Sequence, residues 1–247
     1  TQLDSDDEGV SMTSTVINSV KAVLGAGILT VSWAFYFSSL WPGLISTCVM
    51  CTLSAYGFYL IGLCSQRTGE STFGGIWSSL FGTTWAWLPD LVIVLFCSFS
   101  IVSYLIVVGD YLPKGLAGFG VPVFDRSYYI LGASLLILPL NFLEDLSLLA
   151  YTSFVGNFSI FYTTGLLLFK YLNTDSDADW EPWVLEPGIF LTIPTLAFSF
   201  NGHFGVPQMY QQLKGKSPQR WMSVTVLAYG LCLPVLLVCS ITGYLMF

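Results

Sequence analysis

Charge is scarce in this sequence. Only 9% of its 247 residues are Asp, Glu, Lys or Arg, against roughly 25% in ordinary soluble domains. Apolar residues fill 54% of the chain and the mean hydropathy is +0.72, so too little charge remains to wet a soluble particle. The lipid bilayer is the expected surrounding. Basic residues are scarcer than acidic ones, 8 against 15, for a net charge of −7. That excludes a nucleic-acid binder, because a polyanion needs a basic face. A single histidine, His203, cannot build a metal centre, and no metal is expected. The six cysteines (Cys48, Cys51, Cys64, Cys97, Cys232, Cys239) lie in or beside apolar runs, unlike the disulfide framework of a small secreted domain. Cys48 and Cys51 have CxxC spacing but no companion pair or His, so they read as helix-packing residues rather than zinc ligands. The N-terminus runs Leu3-Asp4-Ser5-Asp6-Asp7-Glu8. It is acidic where a signal peptide is basic, and residues 1–13 read as an acidic cytoplasmic tail.

A membrane helix needs about 20 mostly apolar residues. Seven stretches approach that test: 14–38, 43–64, 88–109, 127–142, 148–169, 188–210 and 221–247, the fourth being the shortest. Residues 14–247 are thus one transmembrane domain. Between the stretches, Gln66–Ser71 opens a loop before an amphipathic stretch from Phe73 to Phe81, and Asp110–Arg126 reads as a Gly- and Pro-rich loop. Asn173–Pro182 is an acidic loop, and Lys214–Arg220 is the strongly basic connection. Placing the N-terminus in the cytoplasm puts Arg67, Lys214, Lys216 and Arg220 inside and Lys114, Arg126 and Lys170 outside, the sense the positive-inside rule favours. Asp90 is expected to cap the third span, Glu144 and Asp145 to be solvated loop charges. Asn157-Phe158-Ser159 forms a glycosylation sequon, unusable inside a span.

Two stretches carry features that a lipid-facing helix cannot use. In the first, Ser11, Ser14, Asn18, Lys21 and Gly25 are spaced 3, 4, 3 and 4 apart, so they share one helical face. That polar face leads into Gly25-Ala26-Gly27, where glycine lowers the cost of unwinding. In the sixth, Thr192, Thr195, Ser199 and Gly202 form a similar stripe, and Asn201-Gly202-His203 interrupts the run between Pro194 and Pro207. Paired interruptions in a membrane chain point to a transporter binding site. A break exposes amide N–H groups suited to a carboxylate and C=O groups suited to a cation. The simpler reading of small-xxx-small glycines is close helix contact.

Asn18 to Phe35 (NSVKAVLGAGILTVSWAF) resembles the first helix of the amino acid/auxin permease family, within the amino acid–polyamine–organocation superfamily. Phe198-Ser199-Phe200-Asn201-Gly202-His203, running on to Tyr210, resembles that family's sixth helix. Val108–Pro113 and the closing Thr242–Phe247 also fit. The resemblance implies an all-α membrane fold of two inverted five-helix repeats, here about seven transmembrane helices, C-terminally truncated, with helices one and six interrupted. It implies transport of amino acids with Na⁺ or H⁺ as coupling ion and no other cofactor. Gly202 stands where the family usually has Cys. Lys21 stands where sodium-coupled members usually carry Asn, and several proton-coupled or vacuolar members carry Lys there.

Lys21 lies about seven residues into the first stretch, roughly 10 Å deep at 1.5 Å per residue. An intramembrane Lys is a functional-site hypothesis by default. Its ammonium can take the place of a sodium ion near freed carbonyls and give up a proton; the competing readings are snorkelling and an ion pair with an acid. His203 is read as a coupling or gating group, or else as a hydrogen-bonded junction residue. Tyr104 resembles the aromatic that closes over substrate in related folds. The expected substrate-binding set is Leu24, Gly25, Ala26, Gly27, Tyr104, Ser199, Phe200, Asn201 and Gly202; the expected coupling or gating set is Asn18, Lys21 and His203.

Other seven-span proteins fit poorly. A retinal protein needs a Lys in its last helix, and residues 221–247 have none. A signalling receptor needs Asp-Arg-Tyr after span three and Asn-Pro-x-x-Tyr in span seven, and neither occurs. An intramembrane enzyme needs paired acids, a Ser/His pair or a metal cluster. The expected function is therefore secondary active transport of neutral amino acids by alternating access, H⁺-linked or Na⁺-independent, in a plasma or vacuolar/lysosomal membrane. The alternatives are a truncated family member with no transport of its own and a Na⁺-coupled symporter.

Overall fold

A computed structural model of the chain describes residues 9–142, 146–174, 181–184 and 187–246. The tail residues 1–8, Glu144, Asp145 and the centre of the acidic loop lie outside the described residues. Ser11 starts the first helix, α1 (Met12–Val23), by accepting the Ser14 amide on its hydroxyl at 3.1 Å. A 3₁₀ turn over Ala26–Leu29 separates α1 from α2 (Val31–Ser38). Then follow α3 (Leu40–Thr68), α4 (Phe73–Phe81), α5 (Trp87–Gly118) and α6 (Arg126–Ile137), the last continued by a 3₁₀ turn over Leu138–Phe142. The remaining helices are α7 (Leu146–Leu172), α8 (Ile189–Ser199), α9 (Val206–Gln211) and α10 (Pro218–Met246), with a 3₁₀ turn over His203–Gly205 before α9. Among the described residues there is no strand, only one parallel bridge between Val10 and Leu213.

Among the described residues, five segments are long and apolar enough to cross a membrane: Leu40–Thr68, Trp87–Gly118, Tyr151–Leu172, Ile189–Gln211 and Pro218–Met246. The first apolar stretch is divided between α1 and α2, and the fourth is held by the shorter α6 and its 3₁₀ turn. Two sequence expectations need correction. Most of Asp110–Arg126 is helical rather than loop, because α5 runs through Pro113 to Gly118. One proline removes one hydrogen bond, which the long apolar turns before it outweigh. Asp90 is not the cap: Ala86 occupies that position without a side-chain bond, and Asp90 sits in the first turn, where a carboxylate favours the helix dipole.

The chain forms two compact units, one drawing on residues up to Ile76 and from Leu146 onward, the other Trp77–Asp145. In the first unit α10 is central, packed against α1, α2, α3 and α7. Trp221, Val224, Ala228, Cys232, Val235, Leu236 and Cys239 of α10 are all buried, at the three- and four-residue spacings that join successive turns into one stripe. Two glycines permit these crossings: a Cβ on Gly62 would collide with the Trp221 indole, and one on Gly243 with Ser32. Trp221 stacks on Phe58 with ring centroids 5.1 Å apart and 9° between planes. Ser32 donates to Cys239 O at 2.9 Å.

The start of α3 is held by the segment 181–184. Leu40 N–H donates to Glu181 O at 3.2 Å and Trp41 N–H to Pro182 O at 3.1 Å, which satisfies amides that have no partner within the helix. Ser39, at φ 59°, donates from Oγ to Val184 O at 3.0 Å and accepts Val184 N–H on the same oxygen at 2.9 Å; these bonds offset a backbone conformation that is unfavourable for a side chain. In the second unit α5 packs on α6, and Arg126 pairs with Asp110 at 3.2 Å.

Candidate functional site: the crossing of two broken helices

Regular winding stops at Leu24, whose φ/ψ of −79°/67° is not helical, and Gly25 is extended at −89°/−152°. The N–H groups of Ala26 and Gly27 open the following 3₁₀ turn, and the first amides of a helix have no partner within it. On the other chain segment α8 ends at Ser199. Phe200 N–H closes it on Leu196 O at 3.0 Å, and Asn201 N–H on Phe198 O at 3.2 Å. Gly202 then precedes the turn into α9.

The two breaks meet. A Cβ on Gly27 would lie 2.5 Å from the Cα of Ser199, and one on Gly202 would lie 2.8 Å from Val23 Cγ2 and 3.1 Å from Val23 N. Both glycines are therefore required by close approach of backbones. Ser199 Oγ, 1% exposed, shares its one hydrogen between Thr195 O of its own helix at 2.8 Å and Gly27 O at 3.2 Å, and Thr192 Oγ1 donates to Ala34 O of α2 at 2.8 Å. The polar stripe of the sixth stretch thus stitches α8 to the first break and to α2. Leu24 and Phe200 are fully buried; Phe200 O accepts from Tyr229 OH of α10 at 3.3 Å.

His203 is fixed by contacts on both ring nitrogens. Nε2 lies 3.0 Å from Ser54 O of α3 and Nδ1 lies 3.2 Å from Asn201 Oδ1. A carbonyl only accepts, so Nε2 carries a hydrogen. Gly57 leaves room for the ring, with a Cβ there 3.3 Å from Nε2, and Phe58 meets it edge to face. Asn201 and His203 together close the second break against α3.

Lys21 lies in the last turn of α1, where the helix dipole favours a cation. Its side chain lies across α7 at Gly156: a Cβ there would be 2.7 Å from Lys21 Cε and 2.9 Å from Nζ. Asn18, one turn earlier, is buried. Next to Gly156, Asn157 donates from Nδ2 to Ile17 O of α1 at 3.0 Å, which places the sequon asparagine within a helix pair. Tyr104 belongs to α5 in the second unit; the other predicted residues all lie in the first.

Sequence reasoning missed Asn157, Gly156, Ser54 and Tyr229. Asn157 did carry a signal, a carboxamide inside an apolar run, but its sequon drew attention away from packing. Tyr229 and Ser54 carried none, because aromatics abound here and Ser54 contributes only its backbone carbonyl.

An all-helical membrane chain whose two interrupted helices pack break against break is a class of architecture used by transporters. The chain belongs to the family described as transmembrane amino acid transporter protein, which matches residues 8–247. It is similar to vacuolar amino acid transporter 7 of Saccharomyces cerevisiae, 26% identical over 96% of this chain and 50% of that protein. It is also similar to sodium-coupled neutral amino acid transporter 7 of Danio rerio, 24% identical over 100% of this chain and 56% of the relative. Vacuolar amino acid transporter 5 of Schizosaccharomyces pombe is 29% identical over 95% of this chain and 57% of its own length. The chain thus spans about half the length of these relatives. No solved structure matches it.

Proposed function

We propose that the protein to which this chain belongs is a secondary active transporter of neutral amino acids that works by alternating access. The observation that carries this reading is the crossing itself, with Ser199 Oγ on Gly27 O at 3.2 Å and Gly202 seated on Ala22 and Val23. The open amides of the 3₁₀ turn at Ala26 and Gly27 would hold the substrate carboxylate. No Asp or Glu occurs in α1, α2, α8 or α9, which favours a neutral over a cationic side chain. In this reading the described helices are seven spans of an inverted five-plus-five repeat. The N-terminus is in the cytoplasm and the membrane is plasma or vacuolar/lysosomal. The pair α1–α2 and the pair α8–α9 rock against the remaining bundle, and protonation of Lys21 replaces the sodium ion as coupling event.

Uptake of radiolabelled neutral amino acids by the full-length protein in proteoliposomes tests this. Uptake is expected to respond to an imposed pH gradient and to persist when choline replaces Na⁺. Collapse in choline overturns the proton-linked reading in favour of a sodium symporter. Absence of uptake under both gradients overturns transport of neutral amino acids.

A further inference from the structure

We propose that Asn157 on α7 is the positioning residue for Lys21, the neutral acceptor on which its ammonium docks while α1 lies against α7. This inference rests on the reading of Lys21 as the coupling group. Asn157 is 6% exposed, and its Nδ2 is committed to Ile17 O at 3.0 Å. That bond fixes the amide plane across the two helices and leaves Oδ1 buried without a hydrogen-bond partner. A buried acceptor without a donor keeps its full desolvation cost, so a nearby donor is strongly favoured. Lys21, one helical turn after Ile17, supplies one: its Nζ rests over Gly156, the residue preceding Asn157, 2.9 Å from where a Cβ would stand. The two groups are neighbours without a direct bond here, and a change of Lys21 rotamer separates the resting pose from the docked one.

The surroundings explain why an amide suits this place. α1 packs on α7 and α10. The titratable groups of α7 are Tyr151, Tyr162, Lys170 and Tyr171, and those of α10 are Arg220, Tyr229, Cys232, Cys239 and Tyr244. α9 touches α1 through Met209, which accepts from Ser19 at 3.7 Å, and contributes Tyr210; His203 beyond the second break is held by Asn201 and Ser54 O. None of these is a carboxylate. A carboxylate beside Lys21 would lock the charge in place, whereas a carboxamide accepts a charge-assisted bond without cancelling the charge. When α1 moves from α7 the Oδ1 acceptor is lost, an N–H bond of Nζ breaks, its electrons stay as the amine lone pair, and the proton passes to water.

The test uses the full-length protein in proteoliposomes with an equimolar mixture of radiolabelled neutral amino acids, and reads the ratio of pH-driven accumulation to exchange. Asn157→Leu, without an acceptor, and Asn157→Asp, with a charge that traps the ammonium, are each expected to lower this ratio and to flatten its pH profile; Asn157→Gln is expected to restore part of it. Gly156→Ala provides a variant independent of any loss of folding in these. The atoms nearest its Cβ are the flexible end of Lys21, so thermal stability should hold while the ammonium is displaced and the ratio falls. Lys21→Met separates the two ideas. If it abolishes the ratio while Asn157→Leu, Asn157→Asp and Gly156→Ala keep the wild-type pH profile, Asn157 has no positioning role and the Lys21 reading stands. If Lys21→Met itself keeps that profile, the coupling role of Lys21 falls, and the role of Asn157 with it.

Discussion

Replacing Gly27 by Ala tests the crossing most directly. The added Cβ would lie 2.5 Å from Ser199 Cα, 2.8 Å from its Oγ and 2.9 Å from its Cβ. Carbon atoms pack best at about 3.5–4.0 Å, so α8 must withdraw from the 3₁₀ turn by roughly 1 Å. Trimming the Ser199 side chain cannot relieve a clash with its Cα. Over-packing of this kind costs about 1–3 kcal/mol, equivalent to about 5–150-fold in the population of the crossed arrangement. The withdrawal also stretches the Ser199–Gly27 hydrogen bond, already 3.2 Å, beyond useful length. With a shift of about 2–4 °C per kcal/mol for a chain of this size, the melting temperature of the purified protein should fall by roughly 2–12 °C. Uptake should fall with it. Gly230→Ala on α10 is the control, because no atom lies within 4 Å of its Cβ position; there the change should be neutral or stabilising by about 0.4–1 kcal/mol. Equal melting temperatures and equal uptake for Gly27→Ala and Gly230→Ala would refute the break-to-break crossing.

Thr192→Val removes the donor to Ala34 O, 2.8 Å away in a fully buried position, and should lower stability by about 1 kcal/mol, read as a melting shift; an unchanged melting temperature would count against the bond between α8 and α2. The Asn157 sequon should carry no glycan, since Nδ2 is bound to Ile17 O within a helix pair. A mass loss on treatment with N-glycosidase that disappears in Asn157→Gln would contradict that packing.

The broken helices were legible because each break combines glycine with polar residues at helical spacing in an otherwise apolar run. The purpose of the glycines was less so. Gly25, Gly27 and Gly202 read alike as points of easy unwinding, yet Gly27 and Gly202 serve close backbone approach, which depends on a partner remote in sequence. Ser199 read as a substrate-binding residue for the same reason, although its hydroxyl hydrogen lies between Thr195 O and Gly27 O. The extent of α5 was hidden by Pro113, a residue that interrupts short helices but is tolerated in one of 32 residues. The place of Asn157 was hidden because α1 and α7 come together only through the tertiary fold.

The hydrogen bonds at the crossing also bear on the coupling ion. Gly27 O receives Thr30 N–H at 3.0 Å and Thr30 Oγ1–H at 2.9 Å, one for each lone pair, and lies 3.2 Å from Ser199 Oγ, whose one hydrogen also has Thr195 O at 2.8 Å. Phe200 O is taken by Tyr229 and Leu196 O by the Phe200 amide. Gly27 O thus has no lone pair left for a cation, and Phe200 O and Leu196 O keep one each, whereas the first amides of the 3₁₀ turn favour an anion. Positive charge is then best placed at the end of α1, where Lys21 already stands, and a Gly27 carbonyl spent on internal bonds is not freed for sodium by changing that one residue. Lys21→Asn, which installs the residue usual in sodium-coupled members, should therefore lose pH-driven uptake without acquiring sodium dependence. Uptake by that variant measured in Na⁺ and in choline should be the same. Stimulation by Na⁺ would show that the carbonyls near the break can turn to a cation, and that their bonds to Thr30 and Ser199 are not the obstacle.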